Sequence, residues 1–292
     1  MAHPAPSLPA TLAERWGIQS AELIADTRSS LVHRGLRRDA SHVVTKQLKP
    51  GGLHELPGID FLEWRGGRGS VRLLARSENA CLLEDAGTVS LRSFRLEHGE
   101  DASNEVVLAV LRRLHAASPS PLPATLVPLR QHFRALFDRA GQTDVSELSS
   151  FFVYCAQVAE ALLSSQTAIR PLHGDLHHDN IISGSGRGWL AIDPQGLIGD
   201  SAYDVANIFG NPEGAFPEII EPRRIIRLVS LFAPVLGCSE EKILCYAIAH
   251  AGLSISWSLD SGDPITVDGN AKERFAFLKV AKRLMDERAF SA

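Results

Sequence analysis

Cysteine is scarce in this chain and never paired at short range. Cys81, Cys155, Cys238 and Cys245 are scattered through 292 residues with no C-x-x-C spacing. That argues against a cysteine-built zinc ribbon or a disulfide framework, and it leaves buried, reduced thiols as the reading, with Cys81 and Cys245 in apolar runs. Large basic blocks are also missing, and the net charge is −4. Without a basic patch there is no electrostatic footprint for nucleic acid. The opening MAHPAPSLPATLAERWG lacks a basic start followed by an apolar core, so no secretory signal is expected and the cytoplasm is the expected compartment. From Ile243 to Leu259 no residue is charged, but His250, Gly252, Ser254, Ser256 and Ser258 interrupt the run. A buried helix is the better reading than a membrane span. No internal repeat is present. A phosphate loop of the form G-x-G-x-x-G is absent as well, because Gly35 is the only glycine between Ala25 and Lys46.

What is present is concentrated between Leu172 and Asn211, which reads LHGDLHHDNIISGSGRGWLAIDPQGLIGDSAYDVANIFGN. His173, Asp175 and Asn180 fit H-x-D-x-x-x-x-N, and Asp193 follows the apolar Trp189–Ile192, which reads as a short strand. Ser183 to Gly188 makes a tight turn between them. Phosphoryl transfer passes through a loose transition state, so an enzyme mainly orients the attacking hydroxyl and neutralises phosphate oxygens. One carboxylate, one amide and a second carboxylate can do this. Asp175 would take the hydroxyl proton, while Asn180 and Asp193 offer hard oxygen ligands suited to Mg²⁺ on the phosphates of ATP. The five-residue step from Asp175 to Asn180 lets one loop present both groups. Two other readings stand beside this one. Each element alone is an ordinary turn or strand end. Alternatively, His173, His177, His178 and Asp179 crowd like a zinc set, although no distant Cys/His pair completes it.

The segment resembles the aminoglycoside phosphotransferase family, and within it the aminoglycoside 6-phosphotransferase and hydroxyurea phosphotransferase branch. HGDLHHDNI, GWLAIDPQGLIGD and YDVAN carry the likeness. Upstream, ADTRSSLV, KQLKP, WRGGRGSVRLLAR and LLEDAG follow in the same order, so it extends from Ala25 to Trp257. The resemblance implies an α+β, two-lobed, protein-kinase-like fold. It has a small β-rich N-terminal lobe and hinge over residues 1–87 and a larger, mainly α-helical lobe over 88–292. It implies ATP and Mg²⁺ and a small-molecule acceptor, with a monomer as the default and neither nucleic acid nor membrane as partner. The expected acceptor is the 6-hydroxyl of a streptomycin-like aminoglycoside, whose modification would confer resistance. The alternatives are a kinase for hydroxyurea or a small metabolite, and a non-catalytic nucleotide-binding pseudokinase.

In the first lobe, Leu31–Leu36, a polar turn at Arg37–Ala40, and His42–Leu48 predict a hairpin with Val44, Lys46 and Leu48 on one face. Lys46 is thus placed like the family's phosphate-holding lysine, or else is a solvated strand lysine. Its glutamate partner is expected to be Glu55, with Glu63 as substitute. Pro57 fits only the first turn of a helix, so Glu55 is expected at or before the helix start. Ser29 and Ser30 would cover the phosphates in place of the missing glycines. Two further strands, Val71–Ala75 and Cys81–Leu83, precede the hinge Glu84–Gly87, whose Glu84 and Ala86 backbone would meet adenine. RGGRGS at 65–70 reads as a turn, because it follows a helix and precedes a strand.

Past the hinge, Val107, Leu108, Leu111 and Leu114 recur at helical spacing. Further helical patterns cover Leu126–Arg139, Leu148–Ser164, Pro222–Leu236, Ser239–Trp257 and Ala271–Phe290. Asp204 in the YD pair is expected to hold backbone near the catalytic loop. Polycationic acceptors call for an acidic pocket, with Asp200, Glu213, Asp260 and Asp263 as candidates. His250 and Trp257 read as helix-packing residues.

Overall fold

The computed structural model describes residues 6–118, 120–142, 146–184, 186–262 and 269–287. In chain order the elements begin α1 (Ala10–Trp16), β1 (Ile18–Asp26), β2 (Ser30–Arg37), β3 (His42–Leu48) and a 3₁₀ turn at Pro50–Glu55. Then come α2 (Leu56–Arg65), β4 (Leu73–Arg76), β5 (Ala80–Glu84), β6 (Val89–Ser90) and α3 (Leu91–Leu114). Next are β7 (Val127–Pro128), α4 (Leu129–His132), α5 (Arg134–Ala140), α6 (Glu147–Ser164), β8 (Ile169–Leu172), β9 (Ile181–Ser183), β10 (Leu190–Ala191) and β11 (Leu197–Asp200). A 3₁₀ segment at Ser201–Gly210 leads to α7 (Pro222–Leu236), α8 (Glu240–Asp260) and α9 (Asn270–Asp286). The mixture is α+β, and the chain divides into two compact units. One comprises Met1–Leu126 with Ile181–Gly196, the other Val127–Asn180 with Leu197–Ala292.

The first unit is built on an antiparallel sheet ordered β1-β2-β3-β5-β4. Period-2 alternation gives this sheet two apolar faces. Leu48, Cys81 and Leu83 pack with Ile59 and Leu62 of α2, with Val71 and with Leu190. Val43, Ala80 and Leu82 face the other way, onto Trp16 and the apolar side of α1. The β2–β3 hairpin turns through Ala40, which takes φ 63°. Gly87 lies inside this unit, pressed on Ser183 and Gly184 as β6 pairs with β9. In this three-stranded sheet, β10-β9-β6, residues 181–196 belong to the first unit and not to that of their sequence neighbours. Arg65, wholly buried, donates to the carbonyls of Arg68, Arg113 and Ala116 and ties α2 to the end of α3.

The second unit is mainly helical. Its small sheet, β7-β11-β8, supports the loop after β8, and α8 packs on α6, α9 and the 201–210 segment. Some helix limits differ from expectation. Residues 126–139 form two short helices that begin after Pro128 and break at Phe133, not one continuous helix. Glycine at 99, with φ 86°, kinks α3. The 201–210 segment is buried nearly all round, so no helical stripe marks it in the sequence. Among the described residues, no helix is long and apolar enough to cross a membrane.

Candidate functional site

In the first unit, the face of the sheet under α2 is hollowed by a cavity of about 150 Å³. Val32, Val44, Leu48, Leu83 and Ile182 give it apolar walls, and Lys46 and Glu55 give it a charged end. Lys46 sits mid-strand on β3, opposite Val32 and Cys81. Its ammonium meets Glu55 Oε2 at 2.5 Å and also pairs with Asp193. Burial works against the Lys46 charge, but Asp193 and Glu55 outweigh it and hold the pKa above the ordinary value. Glu55 stands at the N-cap of α2, with Pro57 in the first turn, as its sequence position requires. Glu63 is turned outward to Arg76 at 2.9 Å.

Asp193 is one of two non-glycine residues at positive φ among the described residues, at 57°. This aims its carboxylate at Lys46 while the chain turns through Pro194, Gln195 and Gly196. That turn is clamped on the start of α2. A Cβ at Gly58 would strike the Pro194 carbonyl, and one at Gly196 would strike Pro57. Ser29 and Ser30 lie in the β1–β2 turn, where Thr27 Oγ1 accepts both backbone N–H groups, at 3.3 and 2.9 Å. Ser30 is buried. Glu84 and Ala86 line the cavity; the Glu84 carboxylate pairs with Arg187 and accepts the Arg72 N–H at 2.8 Å. Cys81 also lines the cavity, and burial pushes its thiol up to about 12, so it is an inert wall.

In the second unit, the loop after β8 carries Asp175 and Asn180. Asp204 fixes its backbone: its carboxylate accepts the N–H groups of His173 and Gly174, at 3.3 and 2.7 Å. The Asp175 carboxylate receives Asn180 Nδ2 at 3.0 Å and Asn207 Nδ2 at 2.8 Å, with His177 Nε2 at 3.7 Å. Burial alone would raise its pKa, but the hydrogen bond and charge of His177, with a smaller contribution from His173, hold the carboxyl below the usual range. Asn180 Nδ2 also donates to the Asp175 carbonyl at 2.9 Å. With its N–H₂ group committed in this way, Asn180 keeps its Oδ1 as an acceptor for a hard cation. The crowded histidines do not make a zinc site: among the described residues no group of three or more His, Cys, Asp or Glu could hold a metal ion.

Behind Asp204, the Tyr203 hydroxyl bridges His132 Nε2 at 2.7 Å and His250 Nδ1 at 2.9 Å, and Trp257 packs edge-on against both imidazoles. Burial pushes His132 down to about 4 and His250 down to about 3. Of the acidic candidates, Asp200 is buried and committed. It accepts from Thr167 and Ala202 and pairs with Lys242 at 2.5 Å. Glu213 is exposed, Asp260 pairs with Arg139 at the end of α8, and Asp263 lies outside the described residues.

A family model described as aminoglycoside/hydroxyurea antibiotic resistance kinase matches residues 15–262. The chain belongs to this family. This kinase is 33% identical over 277 residues to a streptomycin 3''-kinase of Klebsiella pneumoniae, covering 94% of this chain and 100% of the relative. It is 25% identical to a streptomycin 6-kinase of Streptomyces griseus, covering 88% of this chain and 84% of the relative. Among solved structures it is similar to aminoglycoside phosphotransferase APH(4)-Ia in ternary complex with ADP and hygromycin B. There the TM-score is 0.64 and the identity 16%, with 93% of this chain and 97% of that chain covered. The fold is therefore protein-kinase-like, and the kinase is a phosphotransferase acting on a hydroxyl acceptor.

Proposed function

We propose that this kinase transfers the γ-phosphoryl group of ATP to a hydroxyl of a streptomycin-like aminoglycoside and so confers resistance. The supporting observation is the Asp175 carboxylate. It is ionised by its surroundings and oriented by two amides at 2.8 and 3.0 Å on a loop whose backbone Asp204 holds. Asp175 accepts the proton of the attacking hydroxyl, which keeps the nucleophile aligned as the bond to the leaving oxygen loosens. Lys46, steadied by Glu55, binds the α- and β-phosphates, and the β1–β2 turn with Ser29 and Ser30 covers them. Adenine occupies the apolar cavity against the backbone of Glu84 and Ala86. Asn180 Oδ1 and the Asp193 carboxylate are the oxygen donors that would hold magnesium. Magnesium held there would supply positive charge against the phosphate oxygens. The nucleotide-binding lobe and hinge are taken as residues 1–87, and the acceptor-binding lobe as 88–292.

Asp200 is better assigned to holding the 201–210 segment than to the acceptor, because all its contacts are internal. That leaves Glu213, Asp260 and Asp263 as acidic acceptor contacts. The 6-hydroxyl implied by the branch resemblance has a 25%-identical relative behind it, and the 3''-hydroxyl a 33%-identical one matched over its full length. We therefore place the 3''-hydroxyl first. The test is ADP release from ATP and Mg²⁺ with streptomycin, with NMR of the phosphorylated product to locate the ester. Streptomycin-independent ADP release, or turnover only with hydroxyurea, would overturn the assignment.

A further inference from the structure

We infer that Arg274, on α9, is a positioning residue for Asp175 and acts through the side-chain amide of Asn207. The inference rests on the reading of Asp175 as the base. Asn207 Nδ2 donates to Asp175 Oδ1 at 2.8 Å, and Asn207 Oδ1 accepts from Arg274 Nη2 at 2.9 Å and Asn211 Nδ2 at 2.8 Å. A carboxamide has a donating end and an accepting end, and on its own it can turn either toward a neighbour. A guanidinium can only donate. Arg274 thus dictates that the carbonyl end of Asn207 faces α9 and the N–H₂ end faces the base. The reverse orientation would set a lone pair against the Asp175 carboxylate and turn it away from the hydroxyl.

The surroundings hold Arg274 in this role. The side chain is 5% exposed. Its Nε donates to Asn270 Oδ1 at 3.1 Å, and Asn270 Nδ2 is itself held by Ser254 and Ser258 hydroxyls at 3.0 and 2.8 Å. Burial lowers Arg274 to about 10, which leaves it charged at neutral pH. Room for the guanidinium exists because residue 210 is glycine. A Cβ there would lie 2.8 Å from Nε and overlap Nη1. A relay running from Ser254 and Ser258 of α8 through Asn270, Arg274 and Asn207 therefore ends on the proposed base.

The test measures kcat and both KM values with ATP, Mg²⁺ and streptomycin, together with the ¹⁵N-detected side-chain amide signal of Asn207, identified by its loss in Asn207→Leu. Misplacement of a catalytic group can cost up to about 100-fold. Arg274→Gln is expected to lower kcat about 10-fold or more with both KM values within about twofold, and to move or split the Asn207 amide signal. Arg274→Lys, which keeps an obligate donor, should recover most of the loss. The Arg274→Gln/Asn207→Leu double variant should be no slower than Asn207→Leu alone. If Arg274→Gln fails to fold, Gly210→Ala displaces the guanidinium with its charge kept and should give the same kcat loss and amide change. An unmoved amide signal in the folded variant, or full additivity in the double variant, overturns the inference. Asp175→Asn separates the two ideas: if that variant keeps its turnover, the base assignment fails, whatever Arg274 does.

Discussion

Replacing Gly58 by alanine sets two effects of opposite sign against each other. Alanine is favoured over glycine in a helix by about 1 kcal/mol, so on propensity alone the change in α2 should stabilise. Yet the new Cβ would stand 3.0 Å from the Pro194 carbonyl carbon, with the oxygen nearer still, where contact between carbons needs roughly 3.5 Å. The obstacle is backbone and cannot rotate away. Either α2 lifts or the Asp193–Gly196 turn shifts, and overpacking of this kind costs about 1–3 kcal/mol. The upper end applies where both partners are main chain, so the net expectation is a loss of about 2 kcal/mol. Urea unfolding followed by far-UV circular dichroism would show it as a lower midpoint at unchanged slope. Because Glu55 stands at the N-cap position of the same helix and holds Lys46, the KM for ATP should rise alongside. A higher unfolding midpoint in Gly58→Ala would refute the steric reasoning.

Other expectations follow from the same geometry. Asp175→Asn should lower kcat by about 10²- to 10⁴-fold, the range of a general base, with little change in ATP affinity by calorimetry. Lys46→Met should raise the KM for ATP at least about tenfold in steady-state kinetics, since about 1.4 kcal/mol of phosphate contact suffices for that. Protons should destabilise the fold through His250. The unfolded chain takes up a proton near 6.5 that the folded site refuses until about 3, so stability falls as pH drops below 6.5. At pH 5 this amounts to about 2 kcal/mol relative to pH 7.5. His132, lowered to about 4, adds in the same direction, while His177, raised by Asp175 and Asp179 against its burial, opposes them. His250→Gln should therefore narrow the difference in unfolding free energy between pH 7.5 and pH 5; an unchanged difference would be evidence against a buried neutral imidazole.

Much of this could be read in the sequence wherever local pattern and tertiary role agree. The β2–β3 hairpin shows alternation around a turn, and Lys46 falls on the cavity face that the alternation predicts. Pro57 located the start of α2 and hence the position of Glu55 at its N-cap. The edge strand β1 was not foreseen because most of its residues are exposed, and IQSAELIAD shows no clean apolar alternation. Asn207 and Arg274 left no signal either. An amide in YDVAN and an arginine in the polar-looking NAKERFAFLK carry no local mark of the bond between them. Their importance depends on a contact spanning 67 positions, which no local period encodes. Asp200 shows the converse: a carboxylate near a site motif looks free until its partners Lys242 and Thr167, distant in sequence, are known.

The Asp204 carboxylate lies about thirty positions downstream of the two backbone amides it fixes. During synthesis, the loop bearing Asp175 leaves the ribosome without the group that gives it shape. A nascent chain that has emerged only as far as Asn180 therefore holds every residue of HGDLHHDN in the right order without the carboxylate that fixes the start of the loop.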